Sequence, residues 1–85
     1  MYNLICKVMI RLETGDKVIL TGKSSKEENN SKVLERLKKD IEKEATPLIL
    51  DTLYYTVRVT KNDVKDNWKC TSLAEVYQIL DEVFA

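Results

Sequence analysis

Tyr2, Leu4, Cys6, Val8, Ile10 and Leu12 alternate with Asn3, Ile5, Lys7, Met9 and Arg11 at the start of the chain, a period of two. That period predicts a strand with one buried face. Glu13-Thr14-Gly15-Asp16 reads as a turn, after which Lys17-Val18-Ile19-Leu20-Thr21 resumes a β-type composition. Directly paired residues share a face, so register can be worked out on paper. Pairing Leu12 with Val18 and Ile10 with Leu20 superposes the two apolar faces, whereas a two-residue loop would set Leu12 against Lys17. The expectation is a hairpin with an odd loop centred on Gly15, with Arg11 opposite Ile19 and Met9 opposite Thr21.

The next segment is polar from Gly22 to Asn30. Ser25-Lys26-Glu27-Glu28 fits the capping-box pattern, in which Ser and Glu each satisfy an amide of the first helical turn. Val33, Leu34, Leu37, Ile41 and Ala45 then fall on one helical stripe, with Glu35 and Lys39 as an i,i+4 pair on the wet side. Pro47 ends this helix, and the apolar-free turns from Lys26 to Lys32 are expected to project from the core or fray. Leu48-Ile49-Leu50 reads as an optional short strand. Leu53, Tyr55, Val57 and Val59, alternating with Tyr54, Thr56, Arg58 and Thr60, predict a clear one. Lys61-Asn62-Asp63 turns the chain. Val64, Trp68 and Cys70 suit an irregular fourth strand, although Asp66 shares their phase. A second capping box, Ser72-Leu73-Ala74-Glu75, opens a helix with the stripe Leu73, Val76, Tyr77, Leu80, Val83 and Phe84. Removal of that helix is expected to unfold the protein.

The order is therefore β-β-α-β-(β)-α, two halves of similar architecture. We read an α+β two-layer sandwich, an antiparallel sheet of three to five strands with both helices on one face. With 85 residues and 44% apolar composition there is material for one core, so residues 1–85 are read as a single domain. No apolar run approaches the ~20 residues that cross a bilayer, and the start lacks the basic and apolar regions of a signal peptide. A soluble, cytoplasmic protein with no membrane partner is expected.

Several chemistries lack their residues. The chain has no histidine, which removes Ser-His and Cys-His nucleophile pairs, imidazole acid-base catalysis and His-containing zinc sites. Two cysteines cannot close a tetrahedral zinc site within one chain. Cys6 and Cys70 both fall on apolar phases and are read as reduced core thiols; a disulfide between them would require an oxidising compartment. Gly22-Lys23-Ser24 lacks the upstream glycine of a phosphate-binding loop and is read as an ordinary loop. The expectation is a non-enzymatic protein with no cofactor, metal or catalytic residue.

The remaining candidates lie on the surface. Helices on one face leave the other sheet face open, with Ile5, Met9 and Ile19 as an apolar seam and Tyr54 as an aromatic contact. A seam of this kind marks an interface unless the Pro47 to Leu50 segment covers it or it consists of scattered surface apolar residues. Unblocked sheet edges add a second way to recruit a partner. Formal charge balances at 14 against 14, but Met1 to Lys26 carries a net +3 and Lys61 to Ala85 a net −2. Lys7, Arg11 and Arg58 are the candidate contacts for phosphates or an acidic partner, with Lys17, Lys23 and Lys26 joining them if they share the face. Glu75, Asp81 and Glu82 are read as a solvated helix face rather than a phosphate mimic. Trp68 is assigned to the core by its size.

Two functions remain. The first is a self-associating protein-binding module, a homodimer or a regulator or inhibitor of a larger protein, using the Ile5, Met9 and Ile19 seam. The alternative is a small nucleic-acid-binding protein using the basic first hairpin. The excess of Lys over Arg fits coding by an AT-rich genome, and small domains without catalytic residues are common among phage and mobile-element proteins.

Overall fold

The computed structural model describes residues 4–25 and 29–85. Alternation in the first strand acts as expected: in β1 (Leu4–Leu12), Leu4, Cys6, Val8 and Ile10 are buried while Ile5, Lys7, Met9 and Arg11 face the other way. β2 (Lys17–Ser24) pairs with it antiparallel, Val8 opposite Leu20 and Met9 opposite Ile19. The loop is odd and each residue keeps its expected face, but the register is two residues from the expected one. Arg11 faces Lys17 instead of Ile19, and Met9 faces Ile19 instead of Thr21. The cause is a tighter turn, in which the Leu12 amide donates to the Asp16 carbonyl (2.9 Å) and the Gly15 amide to the Leu12 carbonyl (3.0 Å). Gly15 sits at φ +93°, a conformation that a side chain would strain.

Gly22-Lys23-Ser24 is the end of β2 and not a loop. Helix α1 (Asn30–Ala45) lies directly over it, and a Cβ on Gly22 would stand 3.1 Å from Leu37 Cδ2 and 3.5 Å from Val33 Cγ1. The missing side chain lets helix and strand pack closely. Asn29 caps α1 by accepting from the Ser31 amide at 2.8 Å. The capping box expected at Ser25 to Glu28 lies largely outside the described residues, as do Tyr2 and Lys26; of the segment expected to fray, residues 29–32 are described and form the exposed cap and first turn of α1. Ser24, the buried polar residue at the strand end, donates its hydroxyl to the Asn30 side chain. The α1 stripe buries Val33, Leu37, Ile41 and Ala45, with Leu34 half-buried, and Lys39 pairs with Glu35 at 3.4 Å.

Pro47 does end α1, but Leu48 to Leu50 form no strand. Thr46–Asp51 is a 3-10 helix, which proline at its start permits and whose end is tied by the Thr52 hydroxyl donating to the Leu48 carbonyl (2.7 Å). β3 (Thr52–Lys61) then pairs antiparallel with β1, Val8 opposite Val57 and Cys6 opposite Val59. A register shift between Arg11 and Leu12 leaves Leu53 as the extra residue of a bulge. Asn62 and Asp63, at φ 51° and 66°, make the two-residue turn into β4 (Val64–Cys70). In α2 (Leu73–Val83), Ser72 accepts from the Glu75 amide at 3.3 Å. The Glu75 carboxylate reaches back to accept from the Thr71 amide at 3.0 Å, one residue beyond the N-cap amide of the usual capping box.

The sheet order is β2-β1-β3-β4, all antiparallel, and α1 and α2 share one face of it as an α+β sandwich. Each half is a hairpin followed by a helix, with β1 and β3 joined at the centre. Strand residues Cys6, Val8, Ile10, Tyr55 and Val57 meet Leu37, Ile41, Val76, Leu80 and Phe84 in one hydrophobic core. Cys6 and Cys70 are both free and buried. Cys6 is level with Val59 and Cys70 with Tyr55, two strands and four residues apart, too far for a bridge.

Trp68 departs from expectation. It lies opposite Val57 on the helix side of the sheet but is 37% exposed, because β4 is an edge strand and the helix layer does not fully cover it. The same cause accounts for Asp66 on that phase: only Cys70 of β4 is buried.

Candidate functional site

The helix-free face is set by strand alternation alone. Across β2, β1, β3 and β4 it presents Lys17, Ile19, Thr21 and Lys23; Ile5, Lys7, Met9 and Arg11; Tyr54, Thr56, Arg58 and Thr60; and Lys65, Asn67 and Lys69. Seven of these residues are cations. Among the described residues, no strand position on this face carries a carboxylate. Seven of the chain's fourteen cations are thus gathered at the strand positions of one face. The protein is neutral in sum and strongly polarised in space.

The pairing sharpens this. Lys7 lies directly opposite Arg58, and Arg11 directly opposite Lys17. Like charges in directly opposed positions weaken a sheet, where opposite charges would strengthen it. The two arginines are steered by single hydrogen bonds: Arg11 Nη1 donates to the Gly15 carbonyl at 3.0 Å, and Arg58 Nε donates to Asn67 Oδ1 at 3.0 Å. A guanidinium has five N–H donors, so each keeps several for a ligand. Lys69 Nζ stands 4.4 Å from the centroid of the Tyr54 ring, a cation–π contact.

The face is concave. A depression of about 610 Å³ is bordered by Lys7, Met9, Arg11, Ile19, Arg58 and Lys69. A second, of about 400 Å³, continues it past Ile5, Thr60 and Lys65 and shares Lys7, Arg58 and Asn67 with the first. Together they make one groove along β1 and β3. Its floor is apolar where Met9 meets Ile19, the latter 51% exposed. Residues Pro47 to Leu50 do not line it; Leu50 instead is 93% exposed in the 3-10 helix, close in sequence to the exposed Ile49 and Leu53.

All the residues singled out from the sequence, Ile5, Met9, Ile19, Tyr54, Lys7, Arg11 and Arg58, lie on this face. The seam is less continuous than expected, since Lys7 separates Ile5 from Met9 and Ile5 pairs with Lys23. Missing from the candidate list were Lys65, Asn67 and Lys69. Their alternation with Asp66, Trp68 and Cys70 was the available signal, hidden by the exposed side of the edge strand.

Elsewhere the titratable groups have structural roles. Burial pushes the Cys6 thiol up to about 12, and burial followed by nearby Glu75 raises Cys70. Tyr77 is raised by burial and then by Glu42, against a lowering by Lys38. Asp81 pairs with Lys38 at 2.5 Å and Glu75 caps its own helix, so two of the three carboxylates on α2 are engaged within the protein. Among the described residues no cluster of His, Cys, Asp and Glu is placed to hold a metal, and no helix is long and apolar enough to cross a membrane.

Comparison with protein families, with curated proteins and with solved structures found no match.

Proposed function

We propose that this protein binds nucleic acid through its open sheet face and catalyses no reaction. One observation carries the reading: among the described residues, seven cations and no carboxylate occupy the strand positions of this concave face, in an order that sets Lys7 against Arg58 and Arg11 against Lys17. A sheet gains nothing in stability from that order, and a phosphate backbone laid across the groove would neutralise it. Lys and Arg contacts to phosphates supply the sequence-independent part of nucleic-acid affinity. The buried free thiols suit a reducing, cytoplasmic setting.

The test compares two double variants of equal charge change. Lys7→Ala/Arg58→Ala empties the centre of the groove, and Lys39→Ala/Lys43→Ala removes two cations from α1. Binding of a fluorescent oligonucleotide at about 50 mM salt should fall more than tenfold in the first and little in the second. Equal losses, or no binding by the unaltered protein, would defeat the proposal.

A second reading, a self-associating or regulatory protein-binding module, is favoured by the exposed Leu50 and by the Met9 and Ile19 pair. Charge opposes the version in which two open faces meet, since that dimer would bring fourteen cations together. A dimer that persists in Met9→Asp and dissociates in Leu50→Asp would place self-association at the 3-10 helix.

A further inference from the structure

Resting on that reading, we infer that the occupant of the groove is a single strand, with a base stacked on Tyr54, and not a duplex. The dimensions argue first. Four strands spaced about 4.8 Å apart make a face about 14 Å across before side chains are counted, wider than the ~12 Å major groove, which admits a helix or a two-stranded ribbon. Against an undistorted duplex this sheet would meet the outer phosphates and not the base edges.

The chemistry of the floor argues next. Between the cations of the groove lie Ile5, Met9 and Ile19, with Tyr54 beside it opposite Arg11, and phosphates give apolar groups nothing in return for covering them. Unpaired bases do, because every base offers an apolar π-face that stacks on aromatic side chains with little regard for sequence. From Ile5 to Arg11 the groove spans about 20 Å at ~3.4 Å per residue, room for a few nucleotides laid along β1.

Tyr54 is placed for stacking. It is half-buried and directly opposite Arg11, with Lys69 across its ring, and both of those cations border the groove. A base that takes the ring face displaces the Lys69 ammonium, which moves to the phosphate of the same or the next nucleotide. The ring and its cation thus serve one nucleotide together.

The experiment measures anisotropy of labelled oligothymidylate of about a dozen nucleotides, a duplex of the same length and, by competition, inorganic polyphosphate, all at about 50 mM salt. The single strand should bind at least tenfold more tightly than the duplex. Tyr54→Ala should cost the single strand about tenfold, Tyr54→Phe should restore it, and polyphosphate should be indifferent to both. If thermal melting shows Tyr54→Ala to be unfolded, Tyr54→Leu keeps the apolar contact while removing the ring. Equal affinity for single strand and duplex, with no effect of either ring-removing variant, overturns the single-strand inference and leaves the broader reading standing. Failure to bind any of the three probes overturns both and turns the search towards an acidic protein partner.

Discussion

Replacing Lys7 by Gln should stabilise the fold while weakening the binding of nucleic acid, and the stabilisation should vanish in high salt. Lys7 is exposed in the middle of β1 and lies directly opposite Arg58. Directly opposed strand residues have Cα atoms about 4.5 to 5.5 Å apart, and splayed side chains put the two charges at about 6 Å or beyond. In water two unit charges at ~6 Å repel by about 0.7 kcal/mol, reduced to about 0.4 kcal/mol by a ~10 Å Debye length at 0.1 M ionic strength. The more distant cations of the face each add about 0.1 kcal/mol on the same basis. Relief of about 0.5 kcal/mol is therefore expected, within the range of about 0.2 to 1 kcal/mol for cross-strand pairs. In a domain of this size that raises the melting temperature by about 2 to 4 °C. Gln keeps most of the length of Lys, so packing changes little. At about 1 M salt the Debye length is ~3 Å and the advantage should fall to about 0.1 kcal/mol. Thermal melts of both proteins across that salt range provide the assay. A destabilised Lys7→Gln, or a stabilisation independent of salt, would refute the claim that this face is electrostatically frustrated.

Other consequences follow from the packing. Gly22→Val should destabilise by about 1 to 3 kcal/mol, because side-chain atoms would be forced into the contact with Leu37 and Val33; urea denaturation measures it, and an unchanged midpoint would contradict the close-packing argument. Ser72→Ala should cost about 1 kcal/mol by removing the cap on the Glu75 amide, visible in the same assay. The Cys6 thiol is raised to about 12 from 9.0, so the folded state holds that proton more tightly than the unfolded chain. Its contribution is fully present below about pH 9 and is lost as pH rises towards about 12. Cys6→Ala should show a shallower alkaline loss of stability, and equal slopes would refute that assignment.

The period-two run of β1, the alternation of β3 and the stripe of α2 were legible because each buries one face against the same core. Parity of the first hairpin was legible too, but a slip of two residues preserves parity and so cannot be seen from face matching. The turn at Gly15 decides it. Tertiary context governs the other departures: Gly22 looked like a loop residue until α1 was set against it, and Trp68 looked like core until β4 proved to be an edge. The individual contacts of the open face were readable from alternation, whereas its charge was not. Summing charge along the chain mixes both faces of every strand, and the excess appears only when Lys7, Arg11, Lys17, Lys23, Arg58, Lys65 and Lys69 are sorted by the side on which they stand.

The central claim is that the open sheet face receives nucleic acid. Amide chemical shifts of the isotopically labelled protein, followed during titration with an unlabelled oligonucleotide, test it residue by residue. The account predicts that perturbations gather at Lys7, Met9, Ile19, Tyr54, Arg58 and Asn67 and are small from Glu35 to Lys43 on α1. Shifts concentrated on the helices or around Leu50, or a spectrum unchanged by the oligonucleotide, would contradict it.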